Sequence, residues 1–173
     1  NLVPEDRHNF GLFKISSVCE NITASMLDRR ETGKLLLKKN VEQEITNKYV
    51  KDFRIKVTDN DQQAGSLSGG NQQKVVIGKS LSTSPKLVIL DEPTRGIDAA
   101  ARLDVYRIIH QLRNQGVAIL LISSDMEEIV ELADRSISVF NGSINSEFTR
   151  EETIMDNLTA ATFGLESKKE AAQ

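Results

Sequence analysis

From Leu67 onward, short continuous apolar runs alternate with segments whose apolar residues recur at helical spacing. "KLVILD" (Lys86 to Asp91) and "VAILLI" (Val117 to Ile122) predict two buried strands, because a strand covered on both faces reads as an unbroken apolar run. Between them, Ala99 to Asn114 predicts an amphipathic helix with Leu103, Tyr106, Ile109 and Leu112 on one face, closed by Gly116. "SGGNQQKVVIGKSL" predicts a helix capped by Ser68, which stops at "STSP" because Pro85 disfavours helical geometry just before it. "SSDMEEIVELAD" predicts a helix with Ser124 or Asp125 as its cap and Glu127 and Glu128 in the first turn. "RSISVF-NG-SINSEF" predicts a hairpin with a type I′ turn at Asn141-Gly142. Thr149 to Phe163 predicts one more helix, and "ESKKEAAQ" a frayed tail. Strands alternating with helices imply a parallel sheet and an α/β core.

The first sixty-odd residues are less regular. Leu2 and Val3 can end a strand that Pro4 interrupts, and Val18 to Leu27 and Thr46 to Phe53 have loose helical spacing. Asp28 to Asn40 is charged and expected to be exposed, and Thr58 to Ser66 is a polar loop. This part predicts a helical subdomain beside the core. The length of 173 residues suits one domain with a real core, and 39% hydrophobic with 27% charged residues is ordinary for a globular chain. A net charge of -3 implies no broad attraction to nucleic acid or anionic membrane. The single cysteine, Cys19, excludes an intrachain disulfide and makes a reduced setting the default. "VAILLI" is far too short to cross a bilayer and no leader opens the chain, so a membrane link is expected to come through a partner. The chain opens "NLVPEDRHNF" without methionine, as expected of a fragment or a processed product.

Three signals suggest phosphate chemistry. A strand ending in Asp91 and Glu92 delivers two carboxylates to the edge where α/β sheets bind ligands. The aspartate suits a hard cation and the glutamate can polarise a water, although an acidic loop after a core strand reads the same way. Ser68, Gly69 and Gly70 open a helix with little side-chain obstruction, which suits an approaching anion and equally an ordinary capped helix. The "GKS" at Gly78 to Ser80 is a decoy: G-x-x-x-x-G-K-[ST] requires glycine where Gln73 stands, and the tract lies within a helix. Gly33-Lys34 fails too, because Leu35 follows. His8 and His110 read as incidental, and Cys19 as structural.

In this order, "LSGGNQQK", "LVILDEPTRGID" and "AILLISSDMEEI" resemble the latter half of an ATP-binding cassette of ABC transporters. "PEDR", "LSGGNQQKV", "DEPTRGID" and "ISSDMEE" resemble in particular the second cassette of two-cassette bacterial import ATPases for ribose, xylose, galactosides and autoinducer-2. The resemblance runs from about residue 3 to 164 and is densest between Leu67 and Asp134. It implies a partial P-loop ATPase core of α/β class, with a helical subdomain and a C-terminal hairpin and helix. It also implies ATP and Mg²⁺ as cofactors. Residue by residue, Ser68, Gly69, Gly70 and Asn71 would be the signature motif contacting the γ-phosphate of ATP held by an opposing cassette. Asp91 would be the Walker B aspartate near Mg²⁺, Glu92 the catalytic glutamate, and Asp98 part of the D-loop. Glu5 would stand at or near the Q-loop glutamine, and Ser124 where many cassettes place a histidine on the γ-phosphate. Ser16 to Ile22 resembles the region facing a membrane subunit's coupling helix.

The departures shape the expected mechanism. The sequence holds no Walker A loop, Glu5 replaces glutamine, and Ser124 cannot supply a histidine's charge-assisted contact. The signature is therefore expected to act in trans, on the partner cassette's ATP, and the chain alone to lack appreciable ATPase activity. The implied partners are another cassette, expected in the N-terminal half of the same protein, transmembrane permease subunits and indirectly a periplasmic binding protein, with no nucleic acid. The implied place is peripheral, on the cytoplasmic face of the inner membrane. Expected boundaries are 1–85 for the Q-loop region and signature subdomain, 86–164 for the Walker B, D-loop and switch part, and 165–173 for a tail. The rival readings are an inactive truncated remnant serving as a binding module, and a soluble ABC ATPase of DNA repair or translation. The acidic balance disfavours the second.

Overall fold

In the computed structural model, which describes residues 1–26 and 39–165, the chain forms two units, Asn1–Ile122 and Ser123–Gln173. The first is built on a three-stranded parallel sheet in the order β1-β2-β3, with β1 at Leu2–Val3, β2 at Leu87–Asp91 and β3 at Ala118–Ile122. Leu2 pairs with Ile89, and Leu87 to Asp91 run in step with Ala118 to Ile122. α4 (Ala99–Asn114) crosses from β2 to β3, giving the βαβ unit that the two apolar runs imply. Gly116 has φ +79 and the Val117 N–H reaches back to the Leu112 carbonyl, so the glycine ends α4 in the left-handed conformation that suits it.

The long connection from β1 to β2 carries a turn of π-helix at Arg7–Gly11, α1 (Val18–Thr23), a 3₁₀ turn at Ala24–Met26, α2 (Lys39–Asp52) and α3 (Gly69–Leu81). A full capping box starts α1: the Glu20 N–H donates to Ser17 Oγ and the Ser17 N–H to Glu20 Oε2. The charged stretch expected to be exposed, Asp28 to Asn40, lies largely outside the described residues, as does "ESKKEAAQ". α3 is the centre of this unit and is covered on nearly every side. Its buried residues include Gln72, Gln73 and Lys74 beside Val75, Val76 and Ile77. Two of the polar ones are tied to neighbouring loops and helices: Gln72 Nε2 donates to the Leu67 carbonyl, and Lys74 Nζ to the Arg54 carbonyl and Asp104 Oδ2. Val3, Val18, Ile22, Val88, Leu90, Val105 and Ile108 complete the core around it.

The second unit holds α5 (Met126–Leu132), an antiparallel hairpin of β4 (Arg135–Phe140) and β5 (Ser143–Thr149), and α6 (Met155–Thr162). Asp125 caps α5 by accepting from the Glu127 and Glu128 N–H groups. Asn141 and Gly142 have φ +48 and +78, the sign a type I′ turn requires. Phe148, Leu158 and Ala161 form its core, with Met126, Ile129 and Val130 against it.

Four expectations need correction. Leu103 is 54% exposed, and the buried face of α4 is Ala101, Val105, Ile108, Ile109 and Leu112. β3 is not a buried strand: Leu120 and Ile122 are exposed, on the same uncovered face of the sheet as the exposed Leu2 and Leu87. The last helix starts at Met155, since Thr149 to Thr153 turn back on themselves through the Thr153 N–H and Oγ1, both donating to the Thr149 carbonyl. Ser68 occupies the cap position of α3 but makes no capping bond.

Candidate functional site

That missing cap matters for the chemistry. The first intrahelical bond of α3 runs from the Gln72 N–H to the Ser68 carbonyl, so the N–H groups of Gly69, Gly70 and Asn71 stand ahead of the helical ladder. A serine at this place ordinarily turns its oxygen onto one of them. Here Ser68 Oγ instead accepts from Asn71 Nδ2 at 2.9 Å, and Asn71 Oδ1 accepts the Lys56 N–H at 2.9 Å. The Asn71 amide is thus held at both ends, and Ser68, exposed to solvent, leaves the first N–H groups of α3 without a side-chain cap. Together they form a donor cluster at the positive end of a 13-residue helix.

Close packing fixes this cluster against the loop that follows β2. A Cβ at Gly70 would fall well inside contact distance of the Ala101 Cβ and 3.9 Å from Asp98 Oδ2. At Gly69 it would lie 3.1 Å from Arg7 Nη2 and 3.6 Å from the Gly96 carbonyl. Asp98 is the N-cap of α4, accepting the Ala101 N–H at 2.9 Å, so its carboxylate has a structural duty beside the signature. The structure therefore brings Ser68, Gly69, Gly70, Asn71 and Asp98 to one place.

Asp91 ends β2 and is half-buried, and Glu92 follows with φ +47. The left-handed geometry costs a non-glycine residue about 1–2 kcal/mol and turns the chain at the sheet's carboxyl edge. It is held there by the Glu92 N–H donating to the Ile122 carbonyl at 2.9 Å and the Arg95 N–H donating to the Glu92 carbonyl at 3.1 Å. Among the described residues no group of three or more His, Cys, Asp or Glu side chains could hold a metal ion. Asp91 would supply a single carboxylate to Mg²⁺, which takes one or two carboxylates and draws its other oxygens from phosphates and water.

Glu5 is exposed and pairs with Arg95. Arg7 Nη1 donates to the Arg95 carbonyl at 3.1 Å, and its Nη2 to the Gly96 carbonyl at 3.4 Å. The sequence reading gave Arg7 no role, although it stands in the quoted "PEDR" tract. Ser124 is exposed and belongs to the second unit, just ahead of the Asp125 cap. "GKS" is helix interior, as read: Lys79 Nζ donates to the Gly11 carbonyl and lies 4.3 Å from the Phe13 ring centroid, and Ser80 Oγ donates to the Leu2 carbonyl. Burial lowers the Lys79 pKa. The 660 Å³ groove between α2 and the carboxyl ends of α3 and α4 includes none of the candidate residues.

Comparison with known proteins bears on the family and the fold. The family model described as "ABC transporter" matches residues 3–95. The xylose import ATP-binding protein XylG of Moorella thermoacetica is 42% identical over 163 residues, 94% of this chain and 32% of that protein. A solved structure of MJ1267, an ATP-binding cassette of an ABC transporter, is 25% identical with TM-score 0.75, covering 94% of this chain and 66% of that one. The dimeric post-hydrolysis structure of the cassette MJ0796 bound to ADP and Pi is 18% identical, with TM-score 0.73 over 86% of this chain and 62% of that one, and so shows the shared fold. The chain spans about a third of the length of the curated relative it matches.

Proposed function

This chain belongs to the ABC transporter family, and from that premise we propose that it serves an ATP-driven importer of a sugar as part of its ATP-binding subunit. Its main contribution is in trans. The observation that supports the reading is the start of α3, where Ser68 makes no capping bond and the N–H groups of Gly69, Gly70 and Asn71 stand ahead of the helical ladder beside Asp98. A cluster of N–H and hydroxyl donors at a helix start suits the γ-phosphate of a nucleotide that another cassette holds. Asp98 fixes the register of the cluster by capping the neighbouring helix.

Asp91 is the residue that would hold Mg²⁺, which neutralises phosphate charge when bound. Glu92 orients water at the sheet edge, and its backbone bonds to Ile122 and Arg95 keep it there. By the family resemblance Glu5 stands at the Q-loop position, and Ser124 stands at that of the switch histidine with a neutral hydroxyl. Residues 1–85 carry the Q-loop region and signature, residues 86–164 the Walker B, D-loop and switch part, and 165–173 a tail. Phe10, Phe13 and Ile15 are exposed near the start of α1, and Ile15 is 86% exposed. This apolar surface supports docking to a membrane subunit, and with it a peripheral position on the cytoplasmic face of the inner membrane; the partner cassette in this reading is the N-terminal half of the same protein.

The test is ATP turnover by this chain alone and mixed with a full-length partner cassette. The expected result is no appreciable turnover alone, and turnover with the partner that falls when Ser68 is replaced by alanine. Turnover by the isolated chain that disappears in Glu92→Gln would overturn the in-trans role.

A further inference from the structure

Arg7 lies at a junction of three segments. It belongs to the π-helical turn Arg7–Gly11, which Asp6 caps by accepting from the His8 and Asn9 N–H groups. Its guanidinium spans two successive carbonyls, Arg95 and Gly96, in the loop between the β2 carboxylates and Asp98. It also lies against Gly69, where any side chain would meet Nη2 at 3.1 Å. Nε is buried with no hydrogen-bond partner among the described residues, so the two Nη groups carry the attachment. Arg95 returns the contact by pairing with Glu5 on the same turn.

We infer that Arg7 is a positioning residue that locks the signature start and the Arg95–Asp98 loop to the Glu5–Gly11 turn, so that nucleotide-facing groups and the exposed apolar turn move as one piece. This rests on the in-trans reading above. Three features argue for it. The fork holds two carbonyls at once, which an ammonium on a flexible stem cannot do with the same geometry. A cation beside the positive end of α3 is unfavourable by itself, so its placement needs the two carbonyls, and they in turn fix the loop. The turn it anchors lies near Phe10 and Phe13, the exposed side chains that a membrane partner would press on.

The experiment uses the full chain with its partner cassette and membrane subunits in lipid vesicles, measuring ATP turnover per folded molecule with and without the membrane subunits. Arg7→Lys and Arg7→Gln are expected to lower kcat about tenfold, because small misplacements at a reacting centre are amplified. KM for ATP should stay within about twofold, since Arg7 does not touch nucleotide. Stimulation by the membrane subunits should be lost in both. Full kcat and stimulation in Arg7→Lys would overturn the inference, as would a loss that vanishes once turnover is normalised to folded protein. Ser68→Ala in the same assay separates the two readings: undiminished turnover there refutes the in-trans role itself, whereas loss in Ser68→Ala with normal Arg7 variants refutes only the positioning role.

Discussion

The two glycines that open α3 answer to different constraints. Gly69 faces the end of a flexible arginine side chain, whereas Gly70 faces the Cβ of Ala101 on a neighbouring helix. An arginine terminus can shift and a packed helix cannot, so the same substitution should behave differently one residue apart. Gly70→Ala is expected to lower stability by about 1–3 kcal/mol through overpacking. Gly69→Ala should change it by less than about 1 kcal/mol, because alanine's helix propensity offsets the small adjustment. Urea unfolding with unchanged m-values checks both. At this scale the sequence located the glycine pair, Asp125 and the Asn141-Gly142 turn, since caps and tight turns depend on a few adjacent residues. It did not reveal that Ser68 forgoes its cap, because that follows from Asn71 being held by Lys56, fifteen residues earlier.

Between elements, the contact of α3 with α4 includes a charge buried almost completely. The Lys74 side chain is 4% exposed and its Nζ lies 3.0 Å from Asp104 Oδ2, while Asp104 Oδ1 also accepts from Arg107. Removing the acid leaves the ammonium in a dry place with one carbonyl for company. Asp104→Ala is therefore expected to cost about 3 kcal/mol. Lys74→Met fills the same space without a charge, so the Lys74→Met, Asp104→Ala double variant should be more stable than Asp104→Ala alone. A thermal-denaturation cycle of the four proteins tests the sign. The elements themselves were largely legible: α4 matches its expected bounds, and β2, β3, α5 and the hairpin fall where periodicity and punctuation put them. Less legible was which side of each is covered. Leu103 fits the helical stripe and yet is exposed, and in β4 Ser136 and Ser138 turn inward while Ile137 and Val139 face out.

Over the whole molecule, the main uncovered apolar feature among the described residues is the sheet face that carries Leu2, Leu87, Leu120 and Ile122. Leu120 is 51% exposed there, in an apolar strand whose composition suits cover on both faces. Leu120→Lys is expected to raise the soluble concentration of the isolated chain while changing its stability by less than about 0.5 kcal/mol. Light scattering against concentration, with parallel melts, checks this; equal scattering would mean that this open face is not what limits solubility. The sequence by itself determined the family, the α/β class, the order of signature, carboxylate strand and capped helices, and the absence of a phosphate loop within these residues. Those are properties of contiguous residues, since periodicity, caps and motif spacing act over a few positions. Only the tertiary structure decided that α3 is covered nearly all round and that, among the described residues, one face of β3 is left open. It alone also showed that Arg7 reaches carbonyls 88 and 89 residues away to tie one turn to two loops. Such contacts depend on how distant segments pack, and no local pattern along the chain encodes them.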